Sequence, residues 1–284
     1  MQILAATDFS TRSTRALRQA GLLAQPAGAR LFVTHVVDDD RPEELVRLEK
    51  HEAERVLAEQ MGSMPELTGV ECRPMVVSGD PFDGVLKAAA EVSADLIVMG
   101  SHRKQLLLDI FVGTTVERVV RKGSFPVLMV NNEAQRKYYN VMVPLDMSET
   151  SANALRIALA AELIVDGGAT LLHAFVPLAK GKMLTVGIEQ ASIDSYIESE
   201  RQRAMKQLAA FLAANNLNHG WPLRVEEGEP TDVISRTVSE MRPDLLVMGT
   251  HSRSGLVKAL IGSVTENALR SLNVDILAVP PLKR

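Results

Sequence analysis

The chain has little cysteine: one residue, Cys72, in 284. That excludes an internal disulfide and a cysteine-rich zinc site, and it suits a reducing compartment. Positive charge is not in excess either. Lys and Arg number 31 against 35 Asp and Glu, for a formal net charge of −4. No basic stripe is present, so no nucleic-acid partner is expected. No apolar run approaches the roughly 20 residues that span a bilayer. The segment from Met1 to Asp8 lacks the basic start and long apolar core of a secretion signal. A cytoplasmic location and no membrane partner are therefore expected. The six histidines show no metal-ligand spacing, so no metal is expected. Gly181-Lys182-Met183 lacks the glycine spacing and the Ser or Thr of a P-loop. No G-x-G-x-x-G follows a strand pattern, and there is no G-x-S-x-G nucleophile turn.

What the sequence does have is an internal repeat. Leu96-Ile97-Val98-Met99-Gly100-Ser101-His102 returns as Leu245-Leu246-Val247-Met248-Gly249-Thr250-His251. Each apolar run ends at a glycine. A second glycine follows at Gly113, before Thr114, and at Gly262, before Ser263. The offset is 249 − 100 = 149 and 262 − 113 = 149. A continuous apolar run of this length is the mark of a buried parallel strand. A glycine at its end permits close approach of a ligand to the backbone. A helix start beyond it offers free N–H groups and a positive dipole end, which suit phosphate.

Other segments repeat in the same order. Ile3 to Ser10 matches Val141 to Ser148 at offset 146 − 8 = 138, which aligns Asp8 with Asp146 and sets Ala6 against Pro144. Ser10 and Ser148 are placed to cap the helices that follow. Leu31 to Val36 matches Leu171 to Val176 at offset 171 − 31 = 140. Gly79-Asp80-Pro81 matches Gly228-Glu229-Pro230 at offset 149, each opening a helix with proline at its first position. The growth from 140 to 149 puts about nine extra residues in the second copy, in the loop Pro177 to Gln190. Thr114-Thr115-Val116-Glu117 and Ser263-Val264-Thr265-Glu266 both read as capping boxes. Asn131 to Lys137, polar but for Ala134, reads as a linker. Two domains are expected, residues 1–133 and 138–284. Strands alternating with helices make each an α/β doubly wound unit, a parallel sheet with helices on both faces.

The glycine loop after the fourth strand resembles that of the universal stress protein family, whose ATP-binding members carry G-x-x-G-x9-G-[ST] there. The resemblance spans both halves, so the chain resembles a tandem protein of that family. It implies a five-stranded sheet of order 3-2-1-4-5 in each half. Strand five of each half would otherwise be an open apolar edge, so Val127 to Val130 and Ile276 to Val279 are expected to pack near each other as an internal pseudo-dimer of the halves, with two chains able to pair further as a homodimer. The resemblance implies ATP, with or without Mg²⁺, as ligand. Asp146 and Asp8 would contact adenosine. Val176 and Val36 would contact adenine through the backbone. Gly249, His251, Ser252, Gly262, Ser263 and Val264, with Pro144 and Met248 alongside, would complete the site in the second half. Gly100, His102, Gly113 and Thr114 would complete a weaker one in the first. The pattern's second glycine is Arg103 in the first half and Ser252 in the second, which makes the second half the better candidate. The loop stretches Lys104 to Val112 and Arg253 to Ile261 are apolar enough to act as lids.

A plain structural reading stands beside each of these. The glycines can be turn residues, the Gly-Ser and Gly-Thr pairs helix caps, and the two aspartates turn formers. Three functions compete: a stress-response regulator that binds ATP without fast turnover, a slow ATPase or phosphotransferase using His251 or Asp146, and a partner-binding module whose sites have decayed.

Overall fold

The structure, a computed structural model, describes residues 1–101, 114–134, 138–164, 168–250 and 261–282. In the first half the elements are β1 (Gln2–Ala6), α1 (Thr11–Ala27), β2 (Arg30–Val37), α2 (Glu43–Gly62), β3 (Cys72–Ser78), α3 (Pro81–Glu91), β4 (Leu96–Gly100), α4 (Thr115–Lys122) and β5 (Val127–Val130). The second half has β6 (Val141–Pro144), α5 (Glu149–Ala160), β7 (Ala169–Phe175), α6 (Lys180–Thr185), α7 (Gln190–Ala214) and β8 (Leu223–Glu227). It ends with α8 (Pro230–Met241), β9 (Leu245–Gly249), α9 (Ser263–Ser271) and β10 (Asp275–Val279).

Within each half the strand order is 3-2-1-4-5, but the sheet is not two five-stranded sheets. It is one ten-stranded sheet, β3-β2-β1-β4-β5-β10-β9-β6-β7-β8. All neighbours run parallel except β5 and β10, which pair antiparallel with Leu128 opposite Leu277. These two leucines are equivalents in the repeat (277 − 128 = 149), so a pseudo-two-fold axis passes between them. An apolar edge strand is an aggregation hazard, and this pairing covers both such edges at once.

Side chains leave the strands alternately to two cores. Ile3, Ala5, Leu31 and Val33 join the core under α1, α2, α5 and α7. Leu4, Phe32, Ile97 and Met99 join the core under α3, α4, α8 and α9. Each fully buried aliphatic side chain contributes about 1.5–3 kcal/mol. Helix starts follow local chemistry. Ser10 and Ser148 cap α1 and α5 by accepting from Ser13 N–H and Ser151 N–H. Asp80 caps α3, whose first residue is Pro81.

The halves are also joined by side chains. Asp275, at the start of β10, is 3% exposed. It accepts from Asn131 N–H at 2.8 Å, Asn132 N–H at 3.0 Å and the Tyr138 hydroxyl at 2.7 Å. Burial pushes its carboxyl above the ordinary aspartate range, against the pull of these donors. Nearby, Arg270 of α9 holds the buried Glu117 of α4 through two bonds, at 2.9 and 3.1 Å. The pseudo-symmetric pair is Arg121 with Glu266, at 3.3 Å.

Two expectations from the repeat need correction. The ladder sets Leu31 opposite Ile3 and Ala169 opposite Val141. The true offset at the second strand is therefore 169 − 31 = 138, not 140. A slip of two residues keeps every side chain on its face, so the hydrophobic pattern could not reveal it. The second half then carries 149 − 138 = 11 extra residues rather than nine. They include α6, which has no described counterpart in the first half and is flanked by exposed Leu178 and Val186. The second correction concerns α9. Gly262 is its N-cap and no side chain caps it, so the expected box at Ser263 does not form. In α4 the box is complete: Thr114 and Glu117 accept from each other's N–H at 3.2 and 3.3 Å.

Candidate functional site

Two clefts open at the carboxyl ends of the strands, one per half, where parallel α/β sheets bind ligands. In the second half the cleft encloses about 330 Å³, within the range of small-molecule sites. Pro144, Asp146, Met248, Gly249, Gly262, Ser263 and Val264 all line it. Its floor is apolar, formed by Leu172, Ile234 and the buried Met248.

Asp146 sits on the turn after β6. Its Oδ1 accepts from Ser148 N–H at 3.0 Å and from the Ser148 hydroxyl at 2.5 Å. Among the described residues Oδ2 has no hydrogen-bond donor. Met147 follows with φ +60, and Phe9 takes φ +62 at the same place in the first half. A non-glycine residue there stores backbone strain, which collects at functional turns. His173 secures the turn from the neighbouring strand: its Nδ1 lies 2.7 Å from the Leu145 carbonyl. His35 does the same to the Thr7 carbonyl at 2.8 Å.

Across the cleft, α9 is tied to the end of β9. Gly262 N–H donates to the Thr250 carbonyl at 2.6 Å, and the Thr265 hydroxyl to the Gly249 carbonyl at 2.7 Å. The N–H groups of Ser263 and Val264 have no acceptor among the described residues. The open end of α9 therefore faces the cleft with free donors and a positive dipole end.

The first cleft encloses about 350 Å³. Asp8, Val36 and Gly100 line it together. Thr114 does not; it caps α4, and its neighbours Thr115 and Val116 form the wall. Asp8 Oδ1 accepts from Ser10 N–H at 3.0 Å. Desolvation would raise this carboxyl, but hydrogen bonds from Ser10 and Ser13 hold it below the usual range.

Val176 is not in the second cleft. It is 43% exposed, beyond the end of β7. With the offset corrected, the equivalent of Val36 is Ala174 (174 − 36 = 138), which lines the cleft. His102, Gly113, His251 and Ser252 lie outside the described residues, as do the proposed lids except Ile261, which is buried in the core. The strand-end glycines serve packing. Neither has positive φ. A Cβ on Gly249 would lie 2.8 Å from Thr150 Cγ2, and one on Gly100 would lie 2.6 Å from the Arg12 carbonyl carbon and oxygen. Each glycine lets the first turn of a helix rest on the strand end. Sequence reasoning also missed His173, Pro230 and Ile234. The signal for the histidines was present: His35 follows Asp8 by 27 residues, and His173 follows Asp146 by 27.

Paired clefts over one sheet, each between an aspartate turn and a helix start, define a duplicated α/β protein with a cleft of small-molecule size in each half. Residues 1–131 and 137–280 each match the model of the universal stress protein family, and the chain belongs to that family. It is similar to universal stress protein E of Escherichia coli, 26% identical over 212 residues. That alignment covers 71% of this chain and 65% of the relative, so the chain spans just under two thirds of the relative's length. It is also similar to a protein of Thermus aquaticus described as the universal stress protein in the QAH/OAS sulfhydrylase 3' region. There the identity is 36% over 136 residues, 45% of this chain and 96% of the relative. A universal stress protein from Archaeoglobus fulgidus shares the fold, with a TM-score of 0.69 at 18% identity, covering 99% of this chain and 98% of that one. Among the described residues no helix is long and apolar enough to cross a membrane, and no group of three or more His, Cys, Asp or Glu could hold a metal ion.

Proposed function

We propose that this chain is a stress-response regulator that binds ATP in its second half without fast turnover. The supporting observation is the placing of Asp146 and the free N–H groups of Ser263 and Val264 on opposite walls of one cleft with an apolar floor. The base rests on Leu172, Ala174 and Met248. Asp146 Oδ2 accepts from the adenosine end. The start of α9 receives the phosphates. Gly262 keeps the approach to the start of α9 open. No lysine or arginine lines this cleft among the described residues, which favours holding the nucleotide over cleaving it. Mg²⁺ would arrive with the phosphates, since the described residues offer no metal cluster of their own. The nucleotide is the partner in this reading, and the β5–β10 junction is the internal dimer contact.

The test is titration calorimetry of the whole chain with ATP, together with a phosphate-release assay in Mg²⁺. Binding with slow or no release is expected. Absence of binding overturns the reading, and rapid release converts it to an ATPase.

A further inference from the structure

The two clefts are lined by equivalent positions, but they are not chemically equivalent. Thr34 occupies in the first the place that Leu172 occupies in the second (172 − 34 = 138). It points to the same side of β2 as Phe32 and Val36, toward the cleft. Thr34 is 0% exposed, and its Oγ1 has no hydrogen-bond partner among the described residues. Buried hydroxyls are nearly always bonded, and an unmatched one costs free energy that a ligand can recover. Thr7, which also lines that cleft, is not orphaned, since its Oγ1 lies 3.1 Å from Ser13 Oγ and accepts from Phe9 N–H at 3.0 Å. A second difference lies at the mouth. Arg12 lines the first cleft where the second half has Thr150 (150 − 12 = 138). Among the described residues no carboxylate pairs with Arg12.

We propose that the first cleft is a site for a guanine nucleotide, distinct from the ATP site of the second half. The base orientation rests on the reading given for that site. With the base on the floor, Leu172 packs against adenine's C2–H edge. Guanine carries an amine at C2, which leucine would leave unpaired and the Thr34 hydroxyl can accept from. Arg12 supplies positive charge for the phosphates. A site with a matched polar group discriminates strongly against a ligand that lacks the partner group, so the two clefts sort the two purines.

The experiment is calorimetric titration of the whole chain with GTP, alone and in saturating ATP, for the native protein, Thr34→Val and Leu172→Thr. Thr34→Val is close to isosteric, suits a strand and removes only the hydroxyl. The native chain is expected to bind GTP with the same affinity whether or not ATP is present. Thr34→Val should weaken GTP about ten- to hundredfold while its melting temperature stays level or rises, since an unmatched buried hydroxyl has gone. A merely structural threonine would lower the melting temperature and leave GTP alone. Leu172→Thr should weaken ATP and leave GTP at the first cleft unchanged. No GTP binding, displacement of ATP by GTP, or unaltered GTP affinity in Thr34→Val overturns the proposal. If ATP binds nowhere, the ATP reading falls, and the Thr34→Val comparison still decides the GTP site.

Discussion

His173 Nδ1 stands 2.7 Å from the carbonyl oxygen of Leu145. A carbonyl can only accept, so Nδ1 carries the proton. The imidazole thereby fastens the second strand to the residue just before Asp146. His35 and Thr7 repeat the contact in the first half at 2.8 Å. An asparagine amide can take the place of Nδ1, and a glutamine amide the place of Nε2. His173→Asn should therefore keep ATP affinity within about threefold, and His173→Gln should weaken it about tenfold. Calorimetry on both variants checks this. The reverse ranking would mean that Nε2 meets the ligand and that the clamp to Leu145 is incidental.

The strand-end glycines give a stability prediction. A Cβ on Gly100 would meet backbone atoms of Arg12 at 2.6 Å and Ser13 N at 2.8 Å. On Gly249 the nearest atom is the Thr150 methyl at 2.8 Å, with Thr150 backbone at 3.1 Å. A methyl group can shift more readily than a helix backbone. Gly100→Ala should cost about 2–3 kcal/mol and Gly249→Ala about 1–2 kcal/mol. Urea denaturation of the two variants measures the difference, and equal stability with the native chain would remove the packing role.

Much of the fold could be read from the residues because the repeat fixed it twice. Apolar runs such as Leu96 to Met99 and Leu245 to Met248 located the central strands, and the recurrence of Asp8 and Asp146 located the turns. The meeting of Val127 to Val130 with Ile276 to Val279 was legible, but their joining into a single sheet was not, because an apolar strand reads alike whether it pairs along its edge or packs by its face. The place of Val176 was misread because a two-residue slip preserves strand periodicity. Ala174 could have been reached from the histidine spacing. The box at Ser263 failed for a local reason. Gly262 N–H is already held by Thr250, and the helix starts one residue earlier than in α4 relative to the repeat. Asp275 was invisible as a clamp because its donors Asn131, Asn132 and Tyr138 lie more than 130 residues away.

That clamp predicts a pH dependence. Burial raises the Asp275 carboxyl above its ordinary value of 3.8. The folded state then binds this proton more tightly than the unfolded state does. Its contribution to stability is full below pH 3.8 and is lost as pH rises through the raised folded value. Asp275→Asn should flatten the stability profile over that acidic window. Tyr138→Phe removes one donor to the carboxylate and should cost about 1.5–3 kcal/mol at neutral pH. Denaturant titrations across pH test both, and identical profiles for Asp275→Asn and the native chain would count against the clamp.

The paired glutamates should differ in weight. Glu117 is nearly inaccessible, whereas Glu266 is 29% exposed at its side chain. Arg270→Ala leaves the Glu117 carboxylate buried with only the Thr114 N–H as partner and should cost about 1–3 kcal/mol, less than for a wholly buried pair because Arg270 is partly solvated. Arg121→Ala should cost less than about 1 kcal/mol. Urea midpoints for the two variants decide the order, and a larger loss for Arg121→Ala would reverse it.

The two halves should also differ in ATP binding. Asp146 Oδ1 closes its turn through Ser148, so Asp146→Ala removes both the turn bond and the Oδ2 acceptor. Loss of an acceptor that a buried ligand group needs costs about 1–3 kcal/mol, or roughly ten- to hundredfold in affinity. Gly262→Val places a branched side chain at the N-cap of α9, beside the free Ser263 and Val264 N–H groups. It should weaken ATP at least as much by blocking the phosphates. The first half offers ATP less. Glu117 already accepts the Thr114 N–H at 3.3 Å, so the start of α4 has one donor fewer, and Thr34 replaces the apolar floor. Asp8→Ala should therefore leave ATP affinity within about threefold of native. Calorimetry of Asp146→Ala, Gly262→Val and Asp8→Ala settles the assignment. If Asp8→Ala abolishes ATP binding while the other two retain it, the adenine nucleotide belongs to the first cleft and the roles of the halves are exchanged.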